Sequence, residues 1–281
     1  MRVQAPAKLN LCLFLGPRRE DGLHELCSLF EPLALADAIQ VTEADRDEVL
    51  CAGVEGENLA ARALAGLRGR GWRGPPLRIE IEKRIPIAAG LGGGSADAAA
   101  VLRLAAGARV GDLPELAAEL GADVPSQLVP ALSLVRGAGE RIERLPDPSP
   151  HAVVLLPGGG GLSTARVFEE SDRLGLGRSA GELDEIEAAL GEAAGAGASP
   201  LAYADLLVND LEPAALALRP EIEDALDSLR GAGAGQVMLS GTGPTAVGVC
   251  EDIVAAERVA ARLDREVDAI VCEAGRAPDG T

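Results

Sequence analysis

The segment Lys83-Arg-Ile-Pro-Ile-Ala-Ala-Gly-Leu-Gly-Gly-Gly-Ser-Ala-Asp97 constrains the fold more than any other part of this 281-residue chain. It follows Leu77-Arg-Ile-Glu-Ile-Glu82, where apolar and charged side chains alternate as they do in a strand with one covered face. It leads into residues 95–106, an alanine-rich stretch of helical character. Between them, Gly90, Gly92, Gly93 and Gly94 put four glycines into five positions. Glycine accepts positive φ and lets the backbone approach a ligand closely, so successive N–H groups can converge on one concavity. A helix starting near Ser95 adds its free N–H groups and the positive end of its dipole. Strand, glycine turn and helix start, in that order, make a phosphate cradle. The alternative is a flexible connector in which Ser95 is only an N-cap. Two common nucleotide motifs are excluded. No lysine follows the glycines, so GxxxxGK[ST] is absent, and GxGxxG does not fit Gly90-Leu-Gly-Gly-Gly-Ser95.

The formal charge of −18 makes such a cradle a local exception. Nucleic acid and anionic membranes select basic surfaces, so neither is an expected partner. Positive potential toward a phosphorylated ligand must come from backbone amides, helix starts and a few placed cations. Of the 26 basic residues, 24 are arginines and two are lysines, Lys8 and Lys83. A lysine kept against that bias suits a position that needs a compact ammonium; two stray surface lysines are the alternative. No apolar run approaches the roughly 20 residues that cross a bilayer. Pro6, Lys8 and Asn10 interrupt the start, where a leader would place its apolar segment, so a cytoplasmic protein is expected. Five cysteines (12, 27, 51, 250 and 272) form no CxxC pair, and the histidines are His24 and His151. Buried free thiols are expected rather than a zinc site.

The rest of the chain reads as two α+β domains. Strands are predicted at 9–15, after a turn at Pro6-Ala-Lys8, and at 37–42. Helices are predicted at 58–67, capped by Asn58, and at 113–120, closed by Gly121. Strands at 132–135 and 140–145 flank the turn Gly137-Ala-Gly139. Pro146, Pro148 and Pro150 mark a boundary, giving domains at 1–148 and 149–275 and a tail at 276–281. The second half offers strands at 152–156, 236–239, 245–250 and 268–273, and helices at 182–192, 221–229 and 253–265. It also carries a glycine run at 158–161 and a glycine turn at 240–243. These elements lack the regular alternation of a doubly wound sheet.

Three side chains stand out, each with two readings. Asp123, in Leu120-Gly-Ala-Asp-Val-Pro125, can accept the proton of an alcohol attacking a phosphoryl group, or orient that alcohol. Asp with Pro in the first turn is equally a helix start. Lys8 can neutralise a transferring phosphate or hold a carboxylate ionised, or be a solvated surface lysine. His24 can hydrogen-bond a ligand or simply pack.

Together the pieces resemble the GHMP kinase superfamily. The resemblance covers nearly the whole chain through Pro6-Ala-Lys-Leu-Asn10, Asp21-Gly-Leu-His-Glu25, Lys83 to Asp97 and Leu120 to Pro125. It continues in Gly137-Ala-Gly-Glu140, Ser163-Thr164, Asn209-Asp-Leu-Glu212 and Ser240-Gly-Thr-Gly-Pro244. Each motif is weak alone; their order and spacing are specific.

The resemblance implies an N-terminal domain like the second domain of ribosomal protein S5, a C-terminal ferredoxin-like domain and a substrate cleft between them. It implies ATP with Mg²⁺, the nucleotide lying along Pro86, Ile87, Ala88, Ala89, Gly90, Leu91, Gly92, Gly93, Gly94, Ser95 and Ala96. Metal ligands stay unassigned. Asp123 would be the catalytic base and Lys8 its cationic partner. Asn10, His24, Thr164 and Phe168 would line the substrate pocket, with Gly241 and Thr242 closing over the reacting groups. The implied acceptor is a small alcohol linked to cytidine diphosphate, used in isoprenoid precursor synthesis by a monomer or weak homodimer. Two positions depart from the family: Leu23 stands where an aromatic residue usually stacks on cytosine, and Ala96 replaces a second serine of the loop. The competing functions are a related kinase for another small alcohol and an ATP-binding regulator without catalysis.

Overall fold

The computed structural model describes residues 1–54, 58–106 and 112–281. Its frame is a pair of long antiparallel strands, β1 (Arg2–Arg18) and β2 (His24–Glu43). The sequence pattern found only residues 9–15 of the first and 37–42 of the second. Pro6-Ala-Lys8, expected as a turn, lies inside β1, where the register shifts between Pro6 and Lys8. Such irregularities are where a strand tolerates proline, which has no N–H to give the ladder. Lys8 is therefore held mid-strand, with its N–H donating to the Leu91 carbonyl at 2.9 Å.

β3 (Glu48–Cys51) and β4 (Leu77–Glu82) extend the sheet beyond β2. In β4 the buried Leu77, Ile79 and Ile81 alternate with exposed charges, as the sequence requires. Helices α1 (Leu59–Gly69), α2 (Gly93–Arg103) and α3 (Leu113–Leu120) cover that face. Ala60 and Ala63 of α1 and Ala96 and Ala99 of α2 are fully buried and let the helices close on one another. The short α4 (Val124–Gln127) follows, then β5 (Ser133–Gly137) and β6 (Arg141–Arg144), with β5 pairing to β2.

The second half begins with β7 (His151–Leu156), α5 (Thr164–Leu174) and α6 (Ala180–Gly195). After a 3₁₀ segment (Pro200–Leu206) come α7 (Glu212–Leu218), α8 (Ile222–Ala232) and β8 (Gln236–Leu239). The last elements are β9 (Ala246–Cys250), α9 (Ile253–Ala260) and β10 (Ile270–Ala274). Four antiparallel strands run in the order β10-β7-β9-β8, with α8 and α9 packed on one face. The α+β class is as expected. Helix α5 was not foreseen, because it buries only Val167 and Ser171 and so leaves little apolar period in the sequence.

One core crosses the two halves. Leu9, Leu11 and Leu29 share a cluster with Val153, Leu183 and Val247, and β10 meets β2 at Ala274 and Leu33. Glu31 of β2 and His151 of β7, both fully buried, pair at 3.1 Å. Burial disfavours the imidazolium, but the Glu31 carboxylate outweighs it and holds the His151 pKa above its ordinary value. All five cysteines are unpaired thiols; four are buried as expected, while Cys51 is half-buried. Among the described residues, no helix is long and apolar enough to cross a membrane.

Candidate active site

The glycine-rich loop folds as the cradle its sequence suggests, with its helix starting earlier. α2 begins at Gly93, and Gly92 takes the N-cap place in the left-handed region (φ 67°). Ser95 therefore sits in the first turn rather than at the cap. Gly90 also has positive φ (78°). A β-carbon at Gly90 would lie 2.6 Å from the Gly243 carbonyl oxygen, and one at Gly92 only 2.7 Å from Cγ of Lys8. Both positions need glycine for conformation and for space. The N–H groups of Gly93, Gly94 and Ser95 open α2 and have no acceptor within the helix.

The residues from Pro86 to Ser95 line one wall of a cavity of about 360 Å³. Ala96 does not. Its N–H is spent on the Gly92 carbonyl at 2.9 Å, and its side chain is fully buried in the helical core. Asn58, Leu59 and Lys83 also line this cavity and went unassigned in the sequence.

Lys83 is the centre of a buried clamp. Its ammonium hydrogen-bonds Asp37 and lies 2.8 Å from Oδ2 of Asp97. Asp37 also accepts the N–H groups of Arg84 and Ile85 at 2.6 and 2.9 Å, which fixes the strand's exit into the loop. The second oxygen of Asp97 has no protein partner. Burial pushes the Asp97 pKa up to about 7, against the pull of Lys83. A carboxyl raised in the fold contributes its stability at low pH and loses it as pH rises through about 7. Asp97→Asn removes the surplus charge while Asp37 still neutralises Lys83. The melting temperature of this variant, relative to the parent, should therefore be higher at pH 8 than at pH 5.5, by about 3 °C or more. A difference that does not change with pH would show that Asp97 is ionised throughout.

A second cavity of about 580 Å³ lies on the other side of the loop. Lys8, Asn10, His24, Asp123, Thr164, Phe168, Gly241 and Thr242 all line it, so the structure brings together every acceptor-side residue named from the sequence. Gly90 and Gly92 line both cavities, which makes the glycine loop the wall between them.

Within this cavity Asp123 precedes α4 but makes no capping hydrogen bond with its side chain. Its Oδ2 lies 3.2 Å from Nζ of Lys8. Lys8 is buried, donates to Oδ1 of Asn10 at 2.6 Å and sits over the Phe30 ring at 4.4 Å. Asn10 is oriented in turn by donating to Oγ of Ser28 at 3.0 Å. The surface-lysine and simple-cap readings therefore do not describe these two side chains.

Turn 240–243 is locked against the cradle from the second half. Thr245 donates to the Ala89 carbonyl at 2.6 Å, and the Asn209 amide donates to the carbonyls of Leu239 and Gly241 at 2.8 and 2.7 Å. At the far end, His24 meets Asp172 at 2.8 Å and stacks on Phe168 with ring centroids 5.5 Å apart. Leu23 stands at the mouth, 55% exposed. Phe30, Ala138 and Gly139 also line the cavity. The last two lie in the Gly137-Ala-Gly139 turn, which the sequence marked as a hairpin and as part of a family motif but not as a site; nothing in the sequence singled out Phe30.

The family description GHMP kinases N terminal domain matches residues 34–130, and GHMP kinases C terminal matches residues 168–269. The chain is 38% identical over 273 residues to a 4-diphosphocytidyl-2-C-methyl-D-erythritol kinase of Streptomyces avermitilis, covering 93% of this chain and 91% of that one. A protein of the same name from Mycolicibacterium gilvum is 39% identical over 293 residues, covering 99% and 89%. The crystal structure of a 4-(cytidine 5′-diphospho)-2C-methyl-D-erythritol kinase is similar over 98% of this chain and all of that one, with TM-score 0.80 and 36% identity. A homoserine kinase from Cytophaga hutchinsonii shares the fold at TM-score 0.67 and 18% identity, covering 97% of this chain and 93% of that one.

Proposed function

The chain belongs to the GHMP kinase family, and we propose that it moves the γ-phosphoryl group of ATP onto the 2-hydroxyl of 4-diphosphocytidyl-2-C-methyl-D-erythritol. This is a step in isoprenoid precursor synthesis. The observation that carries the proposal is the pair of cavities meeting at Gly90 and Gly92, with Lys8 and Asp123 lining the acceptor side. A nucleotide in the first cavity puts its terminal phosphate at the shared wall, facing an alcohol in the second.

In this reading the loop amides and the start of α2 hold the triphosphate without any basic cluster. Asp123 orients the acceptor hydroxyl and takes its proton as the new O–P bond forms and ADP leaves. Lys8, 3.2 Å from Asp123, holds that carboxylate in place and offsets negative charge on the phosphoryl group in flight. Asn10 fixes the ammonium, and turn 240–243 closes the site against water. Among the described residues no group of three or more His, Cys, Asp or Glu side chains could hold a metal ion. That suits Mg²⁺ carried mainly by phosphates and water, with Ser95 as a nearby hydroxyl, and the ion would supply charge neutralisation between the phosphates. The proposal extends to a cytoplasmic monomer or weak homodimer with a domain division near Pro148 and no nucleic-acid partner; the net charge supports the last of these. Phosphorus NMR of the product tests the site of transfer. A new phosphate monoester on the 2-hydroxyl supports it, and phosphate on any other oxygen overturns it.

Leu23 tests where the cytosine lies. His24 and Phe168 supply stacked rings beside it, and its exposure leaves room for a larger side chain. A stacking contact with a base is worth about 1–3 kcal/mol. Leu23→Tyr should therefore lower KM for the cytidine-linked substrate by about tenfold, with kcat little changed because the base is remote from the transferring group. An unchanged KM in a variant of unchanged melting temperature would mean that the cytosine binds elsewhere.

A further inference from the structure

The glycine run 158–161, between β7 and α5, touches the nucleotide loop. A β-carbon on Gly161 would stand 2.8 Å from Cβ of Ala88, and one on Gly158 would stand 2.7 Å from Cβ of Pro244. Neither obstacle is the free end of a flexible side chain, so either substitution must move backbone. Ala88 is unusual in its own right: with φ at 58° it is the one non-glycine residue with positive φ among the described residues. A left-handed alanine persists only where its surroundings over-determine it. Ala88 also lines the nucleotide cavity, two residues before Gly90.

The run is itself tied down. Arg219 donates from Nη1 to the Gly160 carbonyl at 2.6 Å, while its Nε holds Glu221 at 2.9 Å. Three residues after Gly161, Thr164 lines the acceptor cavity. One short segment thus reaches both sides of the reaction. A β-carbon on Gly159, by contrast, would meet nothing within 4 Å.

We propose that Gly161 is a positioning residue: segment 158–164, pinned by Arg219, seats Ala88 and so sets the nucleotide loop against the acceptor cavity. The inference rests on reading the 360 Å³ cavity as the nucleotide site. If it holds, Gly161→Ala pushes Ala88 back and displaces the amides that receive the triphosphate. Small misplacements of a binding loop are expensive, and about a tenfold loss of nucleotide affinity is expected.

The test is calorimetric titration of a non-hydrolysable ATP analogue with Mg²⁺ into four folded proteins: the parent, Gly161→Ala, Gly159→Ala and the double variant Ala88→Gly/Gly161→Ala. Gly161→Ala should bind about tenfold more weakly, Gly159→Ala should match the parent, and the double variant should recover to within about threefold. The recovery separates positioning from general damage, because removing Cβ of Ala88 removes the obstacle itself. Parental affinity in Gly161→Ala, or a loss that Ala88→Gly does not repair, overturns the proposal. Should Gly161→Ala fail to fold, Arg219→Ala releases the run without adding an atom; it should weaken the analogue about threefold, and full affinity there also overturns it. If the parent binds no analogue at all, the nucleotide reading falls and this inference falls with it.

Discussion

Asp123→Asn is expected to lower kcat by about 10²-fold or more while leaving ATP binding intact. The substitution is nearly isosteric and asparagine is as good a helix cap as aspartate, so a capping role would leave activity almost untouched. The geometry already separates the two roles, since the Asp123 side chain makes no capping bond and turns instead toward Lys8 at 3.2 Å. Asparagine cannot accept the hydroxyl proton, and it leaves the Lys8 ammonium facing a neutral amide. Steady-state kinetics with analogue binding as the control will check this. Turnover close to the parent in a folded Asp123→Asn protein would remove Asp123 from the chemistry.

Lys8→Arg should reduce kcat by a comparable factor, about 10²-fold, although the charge is kept. The ammonium sits among Oδ1 of Asn10, Oδ2 of Asp123 and the face of Phe30, all within 4.4 Å. Its stem passes Gly92 so closely that a single added β-carbon there would come within 2.7 Å of it. A planar guanidinium is wider and presents its donors in a fixed fork, so it must push aside either the glycine loop or Asp123. Melting temperature should change little, because Lys8 lies at a cavity wall rather than within the apolar core. Full activity with arginine at this position would show that the compact ammonium is not required.

The loop was legible because its chemistry is local, whereas Asn10, Thr164, Phe168, Gly241 and Thr242 were named only through the family resemblance. Four glycines between a clean strand and an alanine-rich helix can be read from spacing alone, and β4 alternates without exception. Asp123 was ambiguous for a physical reason: a residue before Val-Pro satisfies helix-start grammar whether or not its side chain caps, and only the distance to Lys8 decides. Lys83 drew attention through composition, yet its partners Asp37 and Asp97 lie 46 and 14 residues away, beyond any local pattern. The first half of β2 was missed because Glu31 and Pro32 break its alternation; Glu31 is buried only because His151 arrives from the other half. The contact between Gly161 and Ala88 was equally invisible. A glycine run reads as a connector until the surface it must pass is known.

ADP release should be measured by coupled assay with 4-diphosphocytidyl-2-C-methyl-D-erythritol beside homoserine and mevalonate, using Asp123→Asn as the blank. The expected result is turnover that depends on the cytidine-linked alcohol, with no more than background ADP from the other two. Turnover with homoserine or mevalonate and none with the cytidine-linked alcohol would contradict the substrate assignment. ADP release from no acceptor, in a protein that binds the ATP analogue, would contradict catalysis itself.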